Sequence, residues 1–123
     1  MPLKSGSCHC KKVTFQVEIE NIFENIYRCD CSLCKKKSIV MKQVAVENFK
    51  LIKGKNNLSS YRWNKRIAEH FFCNKCGVYT HHKRRRDPTQ FAVNLACIDG
   101  IQFLKKIKFH GLMVLVILRF LLI

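Results

Sequence analysis

Seven of the eight cysteines in this chain fall into three tight clusters: Cys8-His9-Cys10, Cys29-Asp30-Cys31-Ser32-Leu33-Cys34 and Cys73-Asn74-Lys75-Cys76-Gly77. No other feature constrains the fold as much. Cysteines one or two residues apart present their sulfurs to one ion without a long loop to close, and Zn–S bonds of about 2.3 Å in a tetrahedron suit that reach. The pattern reads as a framework for two zinc ions. Structural zinc is usually closed by four protein ligands, whereas catalytic zinc keeps a position open for water or substrate. A distribution of two, three and two sulfurs therefore points to one site of each kind.

Two other uses of cysteine fit the sequence less well. A secreted disulfide scaffold needs an oxidising compartment, and Met1-Pro2-Leu3-Lys4-Ser5-Gly6-Ser7 offers no apolar segment of a secretory signal before the first cysteine. The reduced cytoplasm is the expected location. A thioredoxin-like redox role would need Cys31-Ser32-Leu33-Cys34 or Cys73-Asn74-Lys75-Cys76 to open a helix inside a strand–helix–strand unit, and neither is expected to.

At 123 residues and 14.5 kDa the chain is long enough for one domain, and a domain of that size buries only about two thirds of its unfolded surface. Metal must help hold it, so chelation is expected to unfold it or nearly so. The formal charge is +15, from 23 Lys and Arg against 8 Asp and Glu. Seven thiolates and two zinc ions would leave about +12. Such a field favours anionic partners: nucleic acid, a membrane surface, or a small acidic substrate such as a tripeptide with two carboxylates.

Hydrophobic alternation marks the strands. Lys11–Glu20 alternates Val13, Phe15, Val17 and Ile19 with polar residues, the period of a half-buried strand. Ile39–Val46 is β-branched and predicts another, interrupted at Lys42 and Gln43, before a turn at Lys53-Gly54-Lys55-Asn56-Asn57. Ser59–Trp63 predicts a short strand. Ile67–Phe72 and Val78–His81 flank the third cysteine cluster as a hairpin with a zinc knuckle at its tip, where Gly77 supplies a positive φ. Phe91–Ile98 alternates again and ends at the turn signal Asp99-Gly100. One short helix is expected, after Asn21. The fold class is mainly β.

Taken in order, Gly6-Ser7-Cys8-His9-Cys10, Cys29-Asp30-Cys31-Ser32-Leu33-Cys34-Lys35-Lys36, Phe72-Cys73-Asn74-Lys75-Cys76-Gly77 and Val93-Asn94-Leu95-Ala96-Cys97-Ile98-Asp99-Gly100 resemble the glutathione-dependent formaldehyde-activating enzyme family, which includes centromere protein V. The resemblance runs from Ser5 to about residue 100. It implies an antiparallel β-tent, several short sheets with zinc-knuckle hairpins, holding two zinc ions. Carried over by position, Cys8, Cys10, Cys73 and Cys76 form a closed structural site, and Cys29, Cys31 and Cys34 an open one that carries the chemistry. The structural ion would then close a loop of about 60 residues that burial alone holds weakly.

The activity implied is that of a carbon–sulfur lyase, joining glutathione to formaldehyde as S-hydroxymethylglutathione. A thiolate-rich site is soft and a weak Lewis acid, so thiol binding is expected over aldehyde activation. Lys35, Lys36 and Lys37 stand beside the second cluster and could attract the glutathione carboxylates, or form only a solvated charge run. Cys97 lies between Ala96 and Ile98 and is expected to be a buried small apolar residue, although a fourth sulfur would close the second site. His9 and His70 are expected at the surface. His81 and His82, next to Lys83-Arg84-Arg85-Arg86, are poor ligand candidates whose protonation like charge discourages.

That basic run sustains a second reading, a non-enzymatic zinc module that binds nucleic acid or another polyanion, with Tyr61, Trp63 and Tyr79 as stacking candidates. Centromere protein V, associated with chromosomes and microtubules, lies in the resembled family, although its basic extension is not recognisable here. A third reading is a structural zinc scaffold without chemistry. Residues 1–111 are expected to form the single zinc-binding domain and 112–123 an atypical apolar tail. Leu112–Ile123 is apolar but for Arg119, and as a helix it would span only about 18 Å, too short to cross a bilayer. A core strand, an interfacial anchor helped by Lys105, Lys106 and Lys108, and a shifted or truncated reading frame all remain open for it. Its departure from the family puts in doubt any pocket residues beyond position 100.

Overall fold

A computed structural model describes residues 2–29, 31–63 and 68–101 of the chain. The expected apolar tail, the boundary at residue 111 and Ile67 lie outside the described residues.

The described chain is mainly β, in two antiparallel sheets. The first contains β1 (Leu3–Ser7), β2 (Thr14–Glu18) and β5 (Phe49–Lys53), in the order β1-β2-β5. The second contains β3 (Ile26–Tyr27), β4 (Met41–Ala45), β6 (Leu58–Tyr61), β7 (Glu69–Cys73), β8 (Tyr79–Lys83) and β9 (Gln90–Asn94), in the order β3-β4-β9-β8-β7-β6. A core of Phe15, Val17 and Ile19 from the first sheet and Val44 and Val93 from the second, with Leu95 and Ile98, binds the two together. The alternation in Lys11–Glu20 is seen directly in β2, which buries Phe15 and Val17 and turns Gln16 and Glu18 outward.

Lys42 does not interrupt its strand. β4 runs without a break because β3 and β9 flank it, and Lys42 is only 5% exposed. Its Nζ donates to the carbonyl oxygens of Asn21 (2.9 Å) and Glu24, so the ammonium fastens the turn before β3 instead of reaching water. The helix expected after Asn21 is that turn: Asn21 Oδ1 accepts from the N–H of Phe23 at 3.1 Å, a local bond that competes with helical pairing. The segment expected to alternate to Ile98 leaves the sheet earlier. Asn94 Oδ1 caps a 3-10 turn at Leu95–Cys97 by accepting from Ala96 N–H, and its Nδ2 donates to the Tyr79 carbonyl at 2.8 Å.

The turn expected at Lys53–Asn57 pivots on Gly54, at φ +97°. A Cβ there would lie 2.1 Å from the carbonyl oxygen of Lys12. Gly54→Ala is therefore expected to lower stability by about 3 kcal/mol, combining left-handed strain with a backbone clash. A urea titration reads the loss, and an unchanged midpoint would contradict the packing of this turn against the Lys12 segment.

Candidate metal centre

Cys8 and Cys10 lie in the loop between β1 and β2, while Cys73 ends β7 and Cys76 sits in the turn before β8. Their four sulfurs all fall within 4.8 Å of one another. The separations Cys8 Sγ–Cys10 Sγ and Cys10 Sγ–Cys73 Sγ are both 3.6 Å. A tetrahedron with metal–sulfur bonds of about 2.3 Å has edges of about 3.8 Å, so the donor set fits an ion of the zinc kind. Backbone amides face the sulfurs: Val13 N–H donates to Cys8 Sγ at 3.4 Å, and Lys75 and Cys76 N–H to Cys73 Sγ at 3.3 and 3.5 Å. Gly77, at φ +75°, makes the turn possible, as the sequence predicts.

These amides favour thiolates. Cys76 is drawn down to about 6, chiefly by the backbone N–H of Cys10, and burial only partly opposes this. Burial pushes Cys73 upward, but the amides of Cys76 and Lys75 outweigh it and leave the thiol below its ordinary range. The group ties a loop of one sheet to a hairpin of the other, with Cys8 and Cys73 packed around Val13.

Cys29, Cys31 and Cys34 form the second group, their sulfurs again within 4.8 Å of one another. One correction to the sequence expectation arises here. Cys31 caps the helix α1 (Ser32–Lys37), accepting from Cys34 N–H at 3.4 Å, so this pair does open a helix. The redox comparison still fails, because β3 and β4 on either side of α1 are antiparallel neighbours. Cys31 is lowered despite burial, first by the Cys34 amide, whereas Cys34 is pushed far up, first by burial and then by Cys31. Two cysteine groups with different numbers of sulfurs thus exist among the described residues, as their distribution along the chain suggests.

Cys97 belongs to neither group. It is buried, and its Sγ donates to the Tyr79 carbonyl at 3.5 Å. Burial pushes it up to about 12, followed by the charges of Cys8 and Cys76, which are the thiols of the first group. The expectation of a small buried residue holds.

The surroundings of the second group were hidden from sequence reasoning. Tyr79 and Met41 pack with Cys34 in one cluster, and Tyr27, Cys29 and Cys31 lie against it. Burial, then the charge of Cys34, pushes the Tyr79 phenol far above its ordinary range. Its hydroxyl is shared between His70 Nδ1, at 3.4 Å, and His82 Nδ1. His70, expected at the surface, is 3% exposed, because β7 is covered on that face. His81 and His82 are also buried, and burial is the first cause of their low basicity; like charge from His70, Lys37 and Arg84 adds to it only at His82. Tyr79 is 7% exposed and cannot serve as the stacking platform considered for a polyanion. His9 is exposed as expected.

Of the three lysines after Cys34, Lys35 and Lys36 are exposed. Lys37 turns inward, with Nζ 3.5 Å from the centroid of the Tyr79 ring, and burial lowers it to about 8 against the opposing pull of Cys34. Arg84 reaches back over the Tyr27 ring, 5.4 Å from its centroid. No helix among the described residues is long and apolar enough to cross a membrane.

The same architecture occurs in a solved crystal structure of a Rhodobacter sphaeroides protein, 38% identical, with a TM-score of 0.76 over 79% of this chain and 89% of that one. The family model described as "Glutathione-dependent formaldehyde-activating enzyme" matches residues 3–110, a span that holds both cysteine groups and every described strand. With the motifs in order and the sulfurs gathered as a metal centre needs, the chain belongs to the glutathione-dependent formaldehyde-activating enzyme family.

Proposed function

We propose that this protein holds two zinc ions, a structural one on Cys8, Cys10, Cys73 and Cys76 and a catalytic one on Cys29, Cys31 and Cys34, and joins glutathione or a related thiol to an aldehyde. The observation that carries the reading is the unequal build of the two groups, four sulfurs against three, inside a family whose name records this chemistry. Zinc in the three-cysteine group would supply the Lewis acidity that keeps an incoming thiol deprotonated at neutral pH. The chain's own residues do the rest. Tyr79 and Met41 wall the group and exclude water from one side, while Lys35 and Lys36 stand exposed at the end of α1 to attract substrate carboxylates. Thiolate ligands call for a reducing compartment, and the cytoplasm provides one.

Metal stoichiometry measured with glutathione-dependent formaldehyde turnover on the purified protein tests the reading. Two zinc per chain and saturable glutathione dependence are expected; fewer than two zinc, or turnover indifferent to the thiol, would sink it. Cys34→Ser should release one equivalent and abolish activity while the circular dichroism of the strands persists. The rival reading, polyanion binding at Lys83, Arg85 and Arg86, draws support only from the exposure of those side chains. Salt-dependent retention on heparin, with no thiol dependence, would favour it.

A further inference from the structure

Lys37 occupies a position that ordinary packing does not reward. Among the described residues no carboxylate pairs with it. Half-burying an ammonium away from any carboxylate is costly, and a lysine near a helix end readily reaches solvent along its flexible stem. Here the ammonium stays on the face of the Tyr79 ring, 3.5 Å from its centroid. The ring is itself immobilised. β8 carries one extra residue opposite the step from Phe71 to Phe72, and this bulge at Thr80 reverses the strand's alternation. Tyr79 and His82 consequently share a face, where His82 stands opposite His70 with ring centroids 4.8 Å apart. Both imidazoles bond the phenol hydroxyl through Nδ1. Because the ring packs with Cys34, whose charge acts on Lys37, the result is a positive charge held beside the three-cysteine group.

We propose that Lys37 is the catalytic residue that meets the negative charge developing on the aldehyde oxygen, and that Tyr79, locked by His70 and His82, is its positioning residue. The inference rests on the thiol–aldehyde reading above. In that step the sulfur's electron pair forms the C–S bond and the carbonyl π pair moves onto oxygen. The proton given up by the thiol ends on that oxygen, and nothing is oxidised or reduced. A preset cation stabilises the oxygen more in the transition state than in the neutral aldehyde, and that difference raises kcat. A lysine that only captured a substrate carboxylate would act equally on both states and would change KM.

Lys37→Met, read by magnetisation exchange between free and thiol-bound formaldehyde, by calorimetric glutathione binding and by metal analysis, tests the assignment. The expected result is a loss of kcat of about 100-fold. Glutathione affinity and metal content should stay within about twofold of wild type, the signature of an interaction made only in the transition state. Lys37→Arg should recover part of kcat. Lys37→Gln carries the same expectation as the methionine variant and covers the case in which that variant does not fold. Tyr79→Phe keeps the ring but frees it from both histidines, and should cost about tenfold in kcat with metal retained. Weakened glutathione binding would instead make Lys37 a carboxylate anchor, and a lost metal equivalent would make it a counter-ion to the thiolates; either result, or an unchanged kcat, overturns the proposal. A wild type that binds two metals yet shows no thiol-dependent turnover removes the proposed function and this inference together, whereas an active wild type with indifferent variants removes the inference alone.

Discussion

Cys73→Ser is expected to unfold the chain outright, and a strong chelator should do the same to the wild type. Cys73 is fully buried, its sulfur accepts two backbone amides, and it stands between the β1–β2 loop and the β7–β8 hairpin. Structural zinc in small zinc domains contributes on the order of 10 kcal/mol, while the net stability of an ordinary domain is about 5–15 kcal/mol. With zinc on the four-sulfur group as proposed, removing it would cancel most or all of that margin. Far-ultraviolet circular dichroism during chelator titration reads the transition, and restoring zinc should restore the strands. A chelated protein that keeps its strands and its thermal midpoint would show that the hydrophobic core suffices.

Acid should destabilise the fold steeply, in a window set by three buried histidines. Burial lowers His70 to about 4 and both His81 and His82 to about 3. In the unfolded chain each takes up a proton near pH 6.5, so below that value the unfolded state binds more protons than the folded one. Their contribution is therefore complete above pH 6.5 and is lost progressively as pH falls towards 4 and below. Three such groups give at most about 4 kcal/mol per pH unit near pH 5. His81 lies among aromatic rings, with centroids 4.4 Å from Phe49, 4.6 Å from Phe71 and 5.2 Å from Phe91. His81→Phe should remove about one proton from the slope of stability against pH, at the cost of the Thr80 hydroxyl's bond to the ring. Comparing variant and wild type cancels any effect of the cysteine groups, which both share. Identical slopes would mean that His81 is protonated in the folded protein.

The three cysteine clusters were legible in the sequence because short spacings declare which neighbouring sulfurs can share an ion, whereas the union of Cys8 and Cys10 with the distant Cys73 and Cys76 came from the family resemblance alone. The alternating residues of β2 were legible too, since one face of that strand looks inward and the other outward. β1, which is Leu-Lys-Ser-Gly-Ser, carries no such signal and is a strand only because β2 pairs with it from Leu3 to Ser7. β5 was missed in the same way, its pairing with β2 outweighing an irregular pattern. α1 was hidden because six residues rich in lysine have no apolar stripe, and the helix depends on a sulfur cap. His70 read as a surface residue, and the shared face of His82 and Tyr79 was hidden because a bulge in β8 sets it, which no spacing along one strand encodes.

β8 has a further consequence for the chain as an assembly. Cys76 completes one sulfur group and Tyr79, three residues on, walls the other, joined by a turn in which Cys73 N–H donates to the Val78 carbonyl at 2.9 Å. The segment works as a shared axle: whatever seats the knuckle also sets the rotation of the strand that carries the phenol. A change that unseats Cys73 or Cys76 would therefore also disturb the wall of the three-sulfur group.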